Sequence, residues 1–445
     1  MILMKKDIVV ADISFDERGY IIDINKIYDT NSLPLNVYKE NLSKEENINR
    51  LNEWWKNNSI PIQRDSIRLA LECLGVNTPE ELKIIGKGVS LLNQYWIKEE
   101  KEDINWKDIN YYDNPFSKTI GEALFNHKPI HSSIFDCGSS PDNGINGMLK
   151  KRWIIKENNY YLQKSGTGLN KEEVFNEILA SEICNRANII NANYEFYMDS
   201  NNQDISCISK CFTDKNTELI PFTQIIDIVP RRQGYPFQTE LEHLYNICKY
   251  LKVPDYKEYL NNILCLDYIL AGTDRHYNNL ALLYNTKNNC FKFSPLFDSG
   301  NCLWNGKMTK FIDINDDSLM ARPICNKNTF GNWNEQKQYI TGYINITSND
   351  LIESIYKYIE LTYKYSELKI DRISLIANGV LKRAYNLQQL LLSKNINIDD
   401  KNMINENDFR KLQNISINNK THIILDNNND IINEIIKNNE NKDRD

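Results

Sequence analysis

The stretch Gly272-Thr273-Asp274-Arg275-His276-Tyr277-Asn278-Asn279, followed by Ser294-Pro295-Leu296-Phe297-Asp298-Ser299-Gly300, decides the expected fold. Just upstream, residues 258–271 carry apolar side chains at Leu260, Ile263, Leu264, Leu266, Ile269 and Leu270, a helical spacing, and Gly272 supplies the stop. Asp274 is therefore delivered at the mouth of a loop. Between the two quoted segments, residues 280–284 and 290–297 flank the turn-rich Asn285-Thr286-Lys287-Asn288-Asn289, the sequence form of a β-hairpin. Its strands run antiparallel, so Asn279 entering the first and Asp298 leaving the second share the open end beside Asp274.

An acid, an amide and a second acid around one point suit phosphoryl transfer. That reaction needs a carboxylate to orient the attacking hydroxyl and accept its proton, and oxygen ligands for a magnesium ion bridging the nucleotide phosphates. Protein kinases place the base Asp five positions before a metal-binding Asn, with a second metal-binding Asp one hairpin later. Asp274, Asn279 and Asp298 keep that spacing, although the local words differ from His-Arg-Asp and Asp-Phe-Gly. Asp274 is then the expected catalytic base, Asn279 and Asp298 the metal ligands, and Arg275 and His276 supporting neighbours. A structural hydrogen bond is the expected role of His276, because Asp274 already fills the proton-accepting role.

The two segments resemble the C-terminal catalytic region of HipA-like serine/threonine kinases. The resemblance implies a bacterial kinase with a two-lobed, protein-kinase-like α+β fold that uses ATP and Mg2+. It also implies a serine or threonine acceptor on a protein, and a family often found as the toxins of toxin–antitoxin pairs, hence an antitoxin as a partner. It covers roughly residues 139–392. Residues 60–74 and 91–97 look like the front segment of standalone HipA-like proteins, while the N-terminal module of the best-known toxin kinases is not matched. Direct contact with nucleic acid is accordingly not expected.

The first lobe is read from the order of its parts. Gly138-Ser139-Ser140-Pro141-Asp142-Asn143-Gly144-Ile145-Asn146-Gly147 is rich in the residues that let backbone amides approach an anion. Ser139, Ser140, Gly144 and Gly147 are its expected phosphate-binding positions, and Ser139 or Ser140 is a candidate for autophosphorylation by position. Strands are expected at 148–156 and 159–164, closing on Lys164, which would contact the α- and β-phosphates. Ser165-Gly166-Thr167-Gly168 lacks a following Gly-Lys-Ser/Thr, which excludes a Walker-type loop. A helix over 171–187 has its apolar stripe at Val174, Phe175, Ile178, Leu179 and Ile183, with Glu177 at the stripe's edge, where a carboxylate calls for a cation. Glu177 is the expected anchor of Lys164, as in the strand-lysine to helix-glutamate pair of kinases, and Glu173 is its rival. Residues 206–212 should cross between lobes, with adenine expected on the backbone of 210–213.

Composition narrows the class. The 445 residues include 41% hydrophobic, and no apolar run reaches the length of a membrane span or forms a signal peptide, so a cytoplasmic chain is expected. A net charge of −7 argues against a broad electrostatic attraction to nucleic acid. The ten cysteines show no Cys-x-x-Cys pair, and the five histidines complete no zinc spacing. The expected domains are an accessory region at 1–115, a first lobe at 116–215, a second lobe at 216–395 and a mobile polar tail at 396–445. Trp54, Trp55, Trp96 and Trp106 are expected as packing groups of the first of these. Two rival functions share the residues: a small-molecule or lipid kinase, and a catalytically silent regulator that binds a partner or DNA.

Overall fold

The computed structural model describes residues 1–64, 66–128, 130–198, 204–231, 236–318, 320–325 and 331–413. The chain opens with a meander of β1 (Ile2–Lys5), β2 (Ile8–Phe15) and β3 (Ile21–Ile27). β4 (Tyr95–Lys98) returns to pair antiparallel with β1, giving the order β3-β2-β1-β4. Between them, α1 (Lys44–Asn57) starts on a reciprocal cap, in which the Ser43 hydroxyl accepts from the Glu46 amide and the Glu46 carboxylate from the Ser43 amide. A shorter α2 (Ile67–Leu74) follows. Trp54 and Trp55 pack with Leu3, Val10, Ile13 and Tyr95. Trp96 and Trp106 pack with Ile145 and Trp153, so one core crosses the expected boundary at residue 115.

A second sheet has the order β5-β6-β8-β7, made of β5 (Lys151–Lys156), β6 (Asn159–Ser165), β7 (Glu195–Met198) and β8 (Ile205–Lys210). β5 begins at Lys151 rather than at 148. Glu157 and Asn158 turn it into β6 with φ of 50° and 59°, the left-handed pair that suits a two-residue hairpin. That turn fixes the register, Lys156 opposite Asn159 and Lys151 opposite Lys164. Against this sheet lies α3 (Glu172–Arg186), buried on nearly every side rather than along one stripe.

Next, β9 (Thr217–Pro221) leads through further helices to α4 (Tyr256–Ile269), then β10 (Asp274–His276), β11 (Ala281–Asn285) and β12 (Cys290–Phe293). The expected hairpin is β11–β12, extended by β9 into the order β12-β11-β9. β10 pairs in parallel with β13 (Met320–Cys325), which pairs antiparallel with β14 (Gly331–Asn332). The last helices are α5 (Ser348–Tyr365), α6 (Ile370–Ser393) and α7 (Glu406–Gln413). The largest core joins Leu179 of α3, Leu264 of α4, Ile355 of α5 and Val380 of α6.

Residues 396–413 depart from the expected tail. Ile404 and Leu412 are buried in the main core; each such burial stabilises by about 1.5–3 kcal/mol, enough to hold an Asn-rich segment. The rest of the expected tail, 414–445, lies outside the described residues. No helix among the described residues is long and apolar enough to cross a membrane.

Candidate active site

Lys164 ends up between two carboxylates. The β6 strand turns its side chain toward α3, where Nζ pairs with Glu177 Oε1, and toward the end of the β11–β12 hairpin, where it pairs with Asp298 Oδ1. Lys164 and Glu177 are 3% and 1% exposed, so both charges depend on this pairing. Burial alone would pull the Lys164 pKa down; the Asp298 and Glu177 carboxylates outweigh it and hold the ammonium well above its ordinary value. Burial pushes Asp298 up, and Lys164, Lys151 and Arg275 pull it back below the usual carboxylate range. The second Glu177 oxygen accepts from the Ser299 amide at 2.8 Å, locking α3 to the segment carrying Asp298. Glu173 turns away, to the Thr167 amide at 3.0 Å.

Arg275 is the knot of the β11–β12 hairpin's open end. Its Nε and Nη2 donate to both Asp267 oxygens at 2.9 Å, in the forked geometry that suits guanidinium and carboxylate. The same group donates to the Phe297 carbonyl at 2.7 Å, the Asn279 carbonyl at 3.3 Å and the Ser299 hydroxyl at 3.0 Å. One buried cation thus ties the end of α4, the 274–279 turn and the 297–299 turn together. Asn279 adds a bond from Nδ2 to the Asp274 carbonyl at 3.0 Å, which orients its amide. His276 accepts from the Asn278 amide at 3.2 Å, with its other ring nitrogen 3.9 Å from Asp274. Gly300 has its own reason: a Cβ there would meet the Glu173 carbonyl at 3.0 Å and Glu177 Cγ at 3.3 Å. Asp298 adopts φ +59°, a left-handed backbone uncommon for a non-glycine residue and concentrated at functional sites.

The structure therefore gathers Lys164, Glu177, Arg275, Asn279 and Asp298 into one bonded network, with Asp274 and His276 on the adjoining turn. It does not gather Ser139, Ser140 and Gly144. Ile134–Gly138 is a short helix and Pro141–Gly144 a 3-10 turn. Ser140, 1% exposed, caps that turn and donates to Asp142 at 3.1 Å, so phosphorylating it would require the turn to open. A Cβ on Gly144 would come within 3.2 Å of the Ser90 hydroxyl, showing how closely the N-terminal region packs there. Gly147 remains near the network, its carbonyl accepting from Arg64 Nε at 3.0 Å.

Lys151 was missed by the reading of the sequence and sits opposite Lys164 across β5–β6, its Nζ donating to the Asn146 carbonyl at 3.0 Å. Its signal was available: strands on either side of a turn at 157–158 put 151 and 164 in register. Asp267 and Ser299 left no comparable trace, because their roles follow from packing between distant segments. The stretch expected to meet adenine is tied to the N-terminal region, with the Thr213 hydroxyl donating to the Leu91 carbonyl at 2.7 Å. Phe212 stacks on Phe297, ring centres 6.2 Å apart.

No family model matches the sequence, and no curated protein does. Among solved structures the chain is similar to HipA of Shewanella oneidensis MR-1, a toxin–antitoxin protein solved with HipB and its operator DNA. That match has a TM-score of 0.50 and 10% identity, over 89% of this chain and 100% of that one. It is also similar to the Helicobacter pylori proinflammatory kinase CtkA, with a TM-score of 0.40 and 15% identity over 55% of this chain and 95% of that one. The chain has a HipA-like kinase fold. At such identity the likeness speaks for the fold alone, and the chemistry must be argued from the side chains.

Proposed function

We propose that this chain is an ATP- and magnesium-dependent kinase that transfers the γ-phosphoryl group to a serine or threonine hydroxyl of a protein. The observation that carries the reading is the buried Lys164–Glu177 pair, bonded in turn to the half-buried Asp298 and joined to the Asp274 turn through Arg275. A structural ion pair alone needs no third charge, and a buried lysine shared between a buried and a half-buried carboxylate is an arrangement that concentrates at functional sites. In the proposed reaction Asp274 orients the acceptor hydroxyl and takes its proton as the acceptor oxygen bonds to phosphorus. The bond to the β-phosphate oxygen breaks, and ADP leaves. Lys164 holds the phosphates while Glu177 holds Lys164, and nucleotide lies between the two lobes of the proposed kinase arrangement.

The donor set fits magnesium. Asp298 offers a carboxylate and Asn279 an amide oxygen, and among the described residues no cluster of three His, Cys, Asp or Glu groups forms a closed metal cage. Magnesium takes one or two protein oxygens and completes its shell with water and phosphate. When bound, it would neutralise charge on the phosphate oxygens. A toxin-like role with an antitoxin partner is proposed from the likeness to HipA, which was solved with HipB and DNA. A cytoplasmic setting goes with that role.

Incubation with ATP labelled at the γ-phosphate and Mg2+, with and without a cell lysate, tests the reading. Label retained on protein after lipid extraction supports it. Label lost to the organic phase points to a lipid acceptor. Absence of both transfer and magnesium-dependent ATP binding leaves a silent regulator.

A further inference from the structure

The N-terminal region reaches into the network through one side chain. Arg64 is 3% exposed, its Nε donating to the Gly147 carbonyl at 3.0 Å and its Nη2 to the Ile145 carbonyl. Its remaining terminal nitrogen, Nη1, is buried with no hydrogen-bond partner among the described residues. A buried guanidinium donor left unpaired is expensive in a folded chain, so it marks a place where an acceptor belongs. Next to it, the 145–147 turn gives its middle carbonyl to Lys151. Antiparallel register sets Lys151 directly across from Lys164, so the two lysines share one face of the sheet.

We infer that the N-terminal region completes the phosphate site: Arg64 fixes the 145–147 turn, and the turn holds Lys151 beside Lys164 as a second phosphate-binding lysine. The inference rests on the kinase reading above. It gives residues 1–115 a task in nucleotide binding, and it moves the phosphate contacts from the serines and glycine at 139–144 to a cationic group. Charge supports it. Lys151 is faced by Asp298, Lys164, Arg64 and Glu177; burial lowers its pKa first, Asp298 opposes, and the balance is about 7. Two carboxylates thus stand against the three basic groups Lys164, Arg64 and Lys151, a set that favours added negative charge. The Asp142 carboxyl, pushed up to about 7 by burial, offsets little of it below neutrality.

The test compares ATP and adenosine binding by calorimetry, with Mg2+, for the wild type, Lys151→Met, Lys151→Arg and Arg64→Lys. Loss of one charge-assisted contact should weaken ATP about tenfold in Lys151→Met, with adenosine affinity unchanged and ATP affinity largely restored in Lys151→Arg. Arg64→Lys, which cannot span two carbonyls with one planar fork, should weaken ATP severalfold and spare adenosine. Lys151→Met binding ATP as the wild type does would overturn the inference and leave the kinase reading standing. Equal loss of adenosine would overturn it too, by making Lys151 a folding residue. A wild type that binds neither ligand would overturn both.

Discussion

The turns at 272–279 and 297–300 and the stretch 138–147 are all rich in glycine, serine or threonine, aspartate and asparagine, yet they fold to opposite ends. In the first, a single buried Arg275 collects two turns and a helix end, and the acids face one network. In the second, glycine and serine make buried caps and a 3-10 turn, and the carbonyls of 145–147 point at Arg64 and Lys151. What separates them is the cation. A loop of small residues takes its direction from the buried charge it must satisfy.

The largest expected effect falls on the catalytic hairpin. Asp274→Ala should lower phosphoryl transfer by about 10³-fold or more while the melting temperature stays near that of the wild type, because Asp274 is only partly buried. A variant that keeps a tenth of the activity would break the contrast between the two regions. Next comes Lys164→Met, which leaves Glu177 buried without its cation and should cost about 3–5 kcal/mol of stability, read by urea unfolding. Arg275→Lys keeps the charge but loses the fork to Asp267, and should cost about 2 kcal/mol together with most activity.

The smaller effects belong to the glycine-containing stretch. Gly147 has φ +102°, and a Cβ there would collide with Lys151 Nζ. Gly147→Ala should therefore cost about 1–3 kcal/mol from backbone strain, and it displaces a flexible amine rather than backbone. The same stretch carries a pH effect at Asp142, whose folded pKa is raised by burial to about 7. Between the ordinary carboxylate pKa and about 7 the folded state holds a proton that the unfolded state has lost. Stability from this group is therefore full at acid pH and declines as pH rises through that window. Thermal melts of Asp142→Asn, compared with the wild type from pH 4 to pH 8, should lack this decline.

Periodicity and turn chemistry made the hairpin readable: the helical stripe ahead of Gly272 and the Asn-rich turn at 285–289 gave the helix end and the β11–β12 pairing. Glu177 was legible because a carboxylate beside an apolar stripe needs a partner, and α3 supplies it to Lys164. The choice against Glu173 was not legible, since it depends on Thr167 lying near the helix start. The short helix and 3-10 turn of the 138–147 stretch were not legible, because glycine licenses many backbones and specifies none. Only the N-terminal region, packed through Trp96 and Trp106 onto Trp153, selects among them. Residues 396–413 were hidden for a different reason: their buried anchors, Ile404 ahead of α7 and Leu412 within it, are diluted by asparagine in the sequence.

The central claim is that the Asp274–Asp298 hairpin end is a phosphoryl-transfer centre. Its most direct test is release or transfer of the γ-phosphate from ATP by the purified chain, with and without Mg2+, alongside Asp274→Ala and Asp298→Ala. The account predicts magnesium-dependent transfer by the wild type that both substitutions abolish without unfolding the protein. Transfer that survives both substitutions would contradict it.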